Sequence, residues 1–205
     1  MCMPHPTQFD VLTIFPSMIT GYAEQSILGR AQASGLFTVR AHDLRAWTTD
    51  KHRSTDDSPY GGGPGMVMKI EPFDLAIQEM KLTSKNMRVI MTSAGGKLFT
   101  HADAKRLASD YDQLVFLCGR YEGIDARVEE HLVDESFSIG PYVLTGGELP
   151  ALVMIDAIAR HIPGVLGAQE SLAMESHTQE GILEYPQYTK PEVYKDWIVP
   201  EVLLS

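Results

Sequence analysis

The chain has 205 residues, 44% hydrophobic and 21% charged, a composition that suits one folded domain with a full core and excludes a disordered segment. Lys and Arg number 17 against 27 Asp and Glu, and the resulting net charge of −10 excludes a protein that coats nucleic acid through bulk positive charge. Two cysteines, Cys2 and Cys118, exclude a disulfide framework, and no apolar run reaches the ~18 residues that a membrane helix needs.

The N-terminus carries no basic region followed by an apolar one, so no signal peptide is expected and the chain reads as cytoplasmic. Residues 9–15 are rich in β-formers and predict a buried first strand. A helix is predicted after Pro16, over residues 18–28, and a second strand over 37–42. Helical spacing recurs at 72–81, 101–109 and 149–161, and further strands are predicted at 87–91 and 113–118. Cys118 ends an apolar run and reads as a core thiol. Strands alternating with helices predict an α/β fold, a mostly parallel sheet with helices on both faces. Residues 168–185 are polar with few apolar anchors and read as a linker. The remainder, 186–205, contains Pro186, Pro191 and Pro200 and is expected to be an extended tail.

Three glycine-rich segments carry the candidate chemistry. The first, Asp56-Asp57-Ser58-Pro59-Tyr60-Gly61-Gly62-Gly63-Pro64-Gly65-Met66, matches neither a P-loop nor a dinucleotide fingerprint. Its glycines permit close approach of a backbone or ligand, and Lys51, His52 and Arg53 lie upstream of it. The second, Cys118-Gly119-Arg120-Tyr121-Glu122-Gly123-Ile124-Asp125, follows a buried strand directly, at the carboxyl end where open α/β sheets bind ligands. The third runs Ser138-Ile139-Gly140-Pro141-Tyr142-Val143-Leu144-Thr145-Gly146-Gly147-Glu148-Leu149-Pro150, with a helix predicted to start at Glu148 or Leu149. Its backbone groups can read an adenine edge while Ile139, Val143 and Leu144 cover the ring faces. A surface turn, a plain strand-to-helix turn and a buried hairpin are the respective alternatives. The seven histidines show no ligand-type spacing and no Gly-x-Ser-x-Gly elbow is present, which disfavours zinc and hydrolase readings.

In this order, and together with Arg160-His161-Ile162-Pro163-Gly164-Val165-Leu166-Gly167 and Glu184-Tyr185-Pro186-Gln187-Tyr188-Thr189-Lys190-Pro191, the segments resemble the bacterial tRNA (guanine-N1)-methyltransferases along essentially the whole chain. The resemblance implies a SPOUT-type domain over residues 1–167 with a deep C-terminal trefoil knot, an exception to the rule that chains do not thread loops. It further implies S-adenosylmethionine as cofactor, tRNA guanine at position 37 as substrate, and a homodimer whose active sites combine both subunits. Neither DNA nor a membrane is expected as a partner. By position the cofactor would be held by Gly119 and by Ile139, Gly140, Pro141, Tyr142, Val143 and Leu144, with Ser93, Glu122, Gly146, Gly147 and Pro150 close by. The catalytic pair would be Arg160 and a linker carboxylate, where Glu175 stands in place of the family's aspartate and Glu180 and His177 compete for the role. Pro141 replaces a usual acidic residue and Ala94 a usual proline. Mg²⁺ is compatible with the resemblance, but no ligand cluster identifies a metal site.

Family chains continue past this point into a basic tRNA-binding domain, so the apolar ending at Ser205 reads as a cut at a domain boundary, with a naturally short homologue as the other reading. That leaves a methyltransferase acting on tRNA guanine N1 as the leading reading, a non-catalytic cofactor-binding dimerisation module that lacks the means to hold tRNA as the alternative, and methylation of a different RNA by the same knot as a third.

Overall fold

A computed structural model describes residues 7–82, 86–167, 176 and 183–204 of the protein. The chain forms two compact units, residues 1–169 and 170–205. In the first, the order is β1 (Thr7–Thr13), α1 (Pro16–Ala23), α2 (Ser26–Ala33), β2 (Phe37–Asp43), the two-residue strands β3 (Asp56–Asp57) and β4 (Val67–Met68), α3 (Ile70–Lys81), β5 (Met87–Leu98), α4 (His101–Asp110), β6 (Gln113–Cys118), α5 (Ala126–Leu132), β7 (Glu135–Ser138) and α6 (Glu148–Ala159). Five strands form one parallel sheet in the order β2-β1-β6-β5-β7.

Alternation along the central strands builds two cores, one on each face. From β6, Leu114, Phe116 and Cys118 pack with Phe9, Phe37 and the buried sides of α1, α2, α4 and α6. Val115 and Leu117 point the other way, onto Leu12, Met91 and the α3 residues Phe73, Ile77 and Met80. A strand covered on both faces is largely apolar: all six residues of β6 are buried, and the one polar side chain among them, Gln113, is bonded to Asp10. The fold is therefore the α/β arrangement expected, with helices on both faces.

The differences in detail have physical reasons. The first strand ends at Thr13 because Pro16 occupies the first turn of α1, where a missing N–H costs nothing. The single helix expected over 18–28 is two, separated at residues 24–25, and Ser26, where α2 begins, has a φ of 49° that an uninterrupted helix could not carry in its interior. β5 runs on to Leu98 through a register shift between Thr92 and Lys97. Gly96 makes this passage because a β-carbon there would lie 2.7 Å from Ser136 and Phe137 backbone atoms. Strand β7 and helix α5 went unforeseen, being short and carrying only Phe137, Ser138 and Val128 as buried residues between them.

In the second unit the expected extended tail contains a hairpin. β8 (Val193–Tyr194) pairs antiparallel with β9 (Trp197–Ile198), and a short 3-10 turn follows at Glu201–Leu203. Lys195 turns the hairpin with φ 56° and lies over the Tyr194 and Trp197 rings.

One buried charge sits within the sheet. Asp10 is 1% exposed, accepts hydrogen bonds from Gln8 Nε2 at 2.6 Å and Gln113 Nε2 at 2.7 Å, and lies 2.7 Å from His42 Nε2. Burial by itself raises its carboxyl, but the bonds from His42, Gln113 and Gln8 outweigh it and hold the group below the ordinary carboxylate value. A depressed carboxyl stabilises the fold above its unfolded pKa, and that contribution is lost as pH falls through the lower folded value. Asp10→Asn is therefore expected to cost about 1–3 kcal/mol at neutral pH. The gap to the parent should close in urea titrations once the pH drops below the carboxylate range.

Candidate active site

The carboxyl ends of β5, β6 and β7 surround a cavity of about 370 Å³, within the range of small-molecule sites. Its walls come from residues far apart in the chain: 91–95 within β5 where its register with β7 shifts, 119–124 after β6, and 137–139 and 142–147 at and beyond the end of β7. The first glycine-rich segment reaches this place by backbone pairing. β3 and β4 form an antiparallel strap, Met68 N donates to Gly123 O at 2.9 Å, Asp125 N to Met68 O at 2.9 Å, and Glu122 N to Met66 O at 3.0 Å. The strap thus lies along the outside of the 122–125 wall. In that wall Tyr121 holds φ 60°, a left-handed conformation that a non-glycine residue adopts at some cost and that recurs at functional sites.

The opposite wall depends on a buried ion pair. Glu148 opens α6 and is fully buried; its Oε1 accepts from Thr13 Oγ1 at 2.6 Å, and its Oε2 accepts from Arg120 Nε at 3.0 Å and lies 2.9 Å from Nη2 in an ion pair. The first turn of a helix is also where the backbone N–H groups favour a negative charge. Arg120 Nη1 then donates to the Thr145 carbonyl at 3.2 Å, which fixes the end of the 138–147 loop. Gly147 N donates to Gly119 O at 2.9 Å, and a β-carbon at Gly147 would lie 2.8 Å from Cys118 Cα and collide with Thr92 Oγ1. Only glycine lets the start of α6 settle on the ends of β5 and β6. Beneath it Cys118 is fully buried; burial, joined by the Glu148 charge, pushes its thiol well up, so it is a core group and not a nucleophile.

The loop itself turns tightly. Ser138 Oγ donates to Gly140 O at 2.9 Å, Tyr142 N donates to Gly140 O at 2.9 Å, and Tyr142 OH to Ile139 O at 3.3 Å. This geometry turns apolar side chains outward, leaving Val143 84% exposed beside the cavity. The charged residues of the lining are Glu122, Glu129 and Arg120, and Arg120 is already paired with Glu148. The lining is therefore net negative, which suits a cationic ligand with an apolar ring and disfavours a polyphosphate.

A family model described as tRNA (Guanine-1)-methyltransferase TrmD matches residues 7–205. The chain belongs to this family. The tRNA (guanine-N(1)-)-methyltransferase of Geotalea uraniireducens is 50% identical over 198 residues, covering 97% of this chain and 79% of that protein. That of Thermomicrobium roseum is 52% identical over 199 residues, 97% of this chain and 73% of that protein. A third, from Chloroflexus aggregans, is 50% identical over 199 residues, 97% and 77% of the two chains.

Most cofactor positions implied by the family resemblance meet in the one cavity: Ser93, Gly119, Glu122, Ile139, Tyr142, Val143, Leu144, Gly146, Gly147 and Pro150 all line it. Gly140 and Pro141 lie in the same loop but not in the lining. Arg160 follows α6 and lines a separate cavity of about 140 Å³, with Tyr22, Asp156 and Val165 among its neighbours. Glu175, Glu180 and His177 fall outside the described residues. The sequence reading missed Glu129 and Phe137, which lie on the unforeseen α5 and β7, and Thr13, whose role is visible only once β1 and α6 meet. Among the described residues no group of three or more His, Cys, Asp or Glu side chains is placed to hold a metal ion.

Removing one member of a buried pair leaves the other charge without its partner. Glu148→Ala is expected to destabilise the fold by about 3–5 kcal/mol in urea unfolding, and Glu148→Gln by less.

Proposed function

We propose that the protein transfers the methyl group of S-adenosylmethionine to N1 of the guanine at position 37 of tRNA. The observation that carries this reading is the match over 97% of the chain to relatives named as tRNA (guanine-N(1)-)-methyltransferases. Their naming favours the enzyme over the non-catalytic module. The cavity supports the same reading through its size, its exposed apolar loop and its net negative lining.

In this reading Ile139, Tyr142, Val143 and Leu144 take the adenine, with Gly119 leaving room for it. Ser93, Glu122, Gly146, Gly147 and Pro150 surround the rest of the molecule, and Gly140 and Pro141 shape the loop. The bound cofactor supplies a methyl group already activated on a sulfonium. The remaining difficulty is the guanine, whose N1 bears a proton and is a poor nucleophile until that proton leaves. The Glu175 carboxylate accepts it as the N1–methyl bond forms, and general-base help of this kind is worth about two to four powers of ten. The Arg160 guanidinium stabilises the negative charge that spreads to O6. Without the base the guanine would stay a poor nucleophile, whatever the state of the cofactor.

The deep trefoil knot, the homodimer and a cytoplasmic location are carried over from the family as part of this proposal. No helix among the described residues is long and apolar enough to cross a membrane. The exposed apolar residues Tyr22 on α1 and Leu149 and Val153 on α6, two helices that pack together, support self-association through that face.

Methyl incorporation into a tRNA transcript with guanine at position 37 tests the reading, with adenine at that position as the control that should be refused. Glu175→Ala and Arg160→Ala are expected to lower turnover by about two to four powers of ten. Calorimetric affinity for S-adenosylhomocysteine should stay near the parent's. Undiminished turnover in Glu175→Ala would pass the base role to Glu180 or His177.

A further inference from the structure

Arg120 is held on two sides. Glu148 takes Nε and Nη2, while on the other side Nη2 lies 3.1 Å from Met18 Sδ and the guanidinium carbon sits 4.6 Å from the centre of the Phe15 ring. Phe15 and Met18 do not line the cavity, and neither belongs to either hydrophobic core. They are 42% and 38% exposed. An aromatic ring left on the surface with its face against a guanidinium is engaged through its quadrupole, not through core burial. Two supports leave the guanidinium plane one orientation, and in that orientation Nη1 donates to Thr145 O at 3.2 Å. Thr145 immediately precedes Gly146 and Gly147, which line the cavity.

We propose that Phe15 and Met18 are positioning residues for the cofactor: through Arg120 they hold the 145–147 end of the loop in the shape that binds it. The proposal rests on the reading of the cavity as the S-adenosylmethionine site. Its logic is pre-organisation. A loop end that is free before binding must be ordered by the ligand, which weakens affinity, whereas one already clamped binds at full strength. Binding is affected, and the chemistry at N1 is not.

Titration calorimetry with S-adenosylhomocysteine, on the full chain, tests this with Phe15→Leu, Phe15→Tyr and Met18→Leu. Phe15→Leu keeps the bulk and loses the ring face, and is expected to weaken binding about three- to tenfold, the size of one cation–π contact. Phe15→Tyr should restore parental affinity, and Met18→Leu should weaken binding by a smaller factor. The melting temperature of the ligand-free Phe15→Leu protein should fall by no more than the loss of that one contact, about 2–4 °C, and its KM for the cofactor should rise with kcat unchanged. Hydrogen exchange at the Gly147 amide, which donates to Gly119 O, should quicken in Phe15→Leu. Parental affinity and exchange in Phe15→Leu would overturn the proposal, as would equal losses in Phe15→Leu and Phe15→Tyr. If Phe15→Leu fails to fold, the Met18→Leu affinity and exchange decide in the same way. A parent chain that binds no S-adenosylhomocysteine would instead overturn the reading of the cavity.

Discussion

A carboxylate taken wholly out of water must be met by donors on every side, and Glu148 is such a group. Its donors come from the end of β1 and from the turn after β6, while its own backbone opens α6. Meeting that one requirement brings the carboxyl ends of the sheet and the start of α6 to a single point. Gly147 can then drop onto Cys118, and the 138–147 loop is left standing over the ends of β5 and β6. The cavity is the space that remains.

The charge balance acquires a more precise sense at this scale. The overall −10 argues against bulk attraction to RNA, yet inside the cavity negative lining is what a sulfonium-bearing ligand requires. Elsewhere acidic groups serve the architecture. Glu135 on the edge strand β7 accepts from Arg88 Nε at 2.8 Å and Arg106 Nη2 at 2.7 Å, tying that edge to β5 and α4. Hydrogen bonds from these two arginines hold its carboxyl below the ordinary range against the opposing effect of burial. Asp103 plays a parallel part, capping α4 together with Thr100 and pairing with Lys97.

Strands with one unambiguous environment were legible from the residues. β6 is buried on both faces and reads as an apolar run from Leu114 to Cys118, and β2 matches the expected strand to within one residue. Elements whose character comes from their neighbours were not. β7 is stabilised by arginines on other elements, and α5 by an Asp125 cap and little apolar surface. The candidate site followed the same division. Ile139, Val143 and Leu144 could be named from the loop's own pattern and Tyr142 through resemblance, whereas Gly140 and Pro141 of the same loop do not line the cavity. Phe15 belongs to a Phe15-Pro16 pair that the family resemblance includes, but Thr13, Glu129 and Met18 reach the site only through the fold, so no local pattern announces them. Arg160 was named through resemblance, and its place in a separate cavity depends on how α6 ends against α1 and α2.

The hydrogen bond from Thr13 to Glu148 spans 135 residues, most of the first unit. β1 emerges early in synthesis, but the carboxylate that completes its carboxyl end arrives only with α6. Contacts of such separation close large loops and slow the final steps of folding. The cavity therefore comes into being at the end of the process: until α6 docks, Arg120 lacks the carboxylate that orients it toward the loop, and the last hydroxyl of β1 lacks its carboxylate acceptor. Ligand binding in this protein is thus also a report that the chain has finished folding.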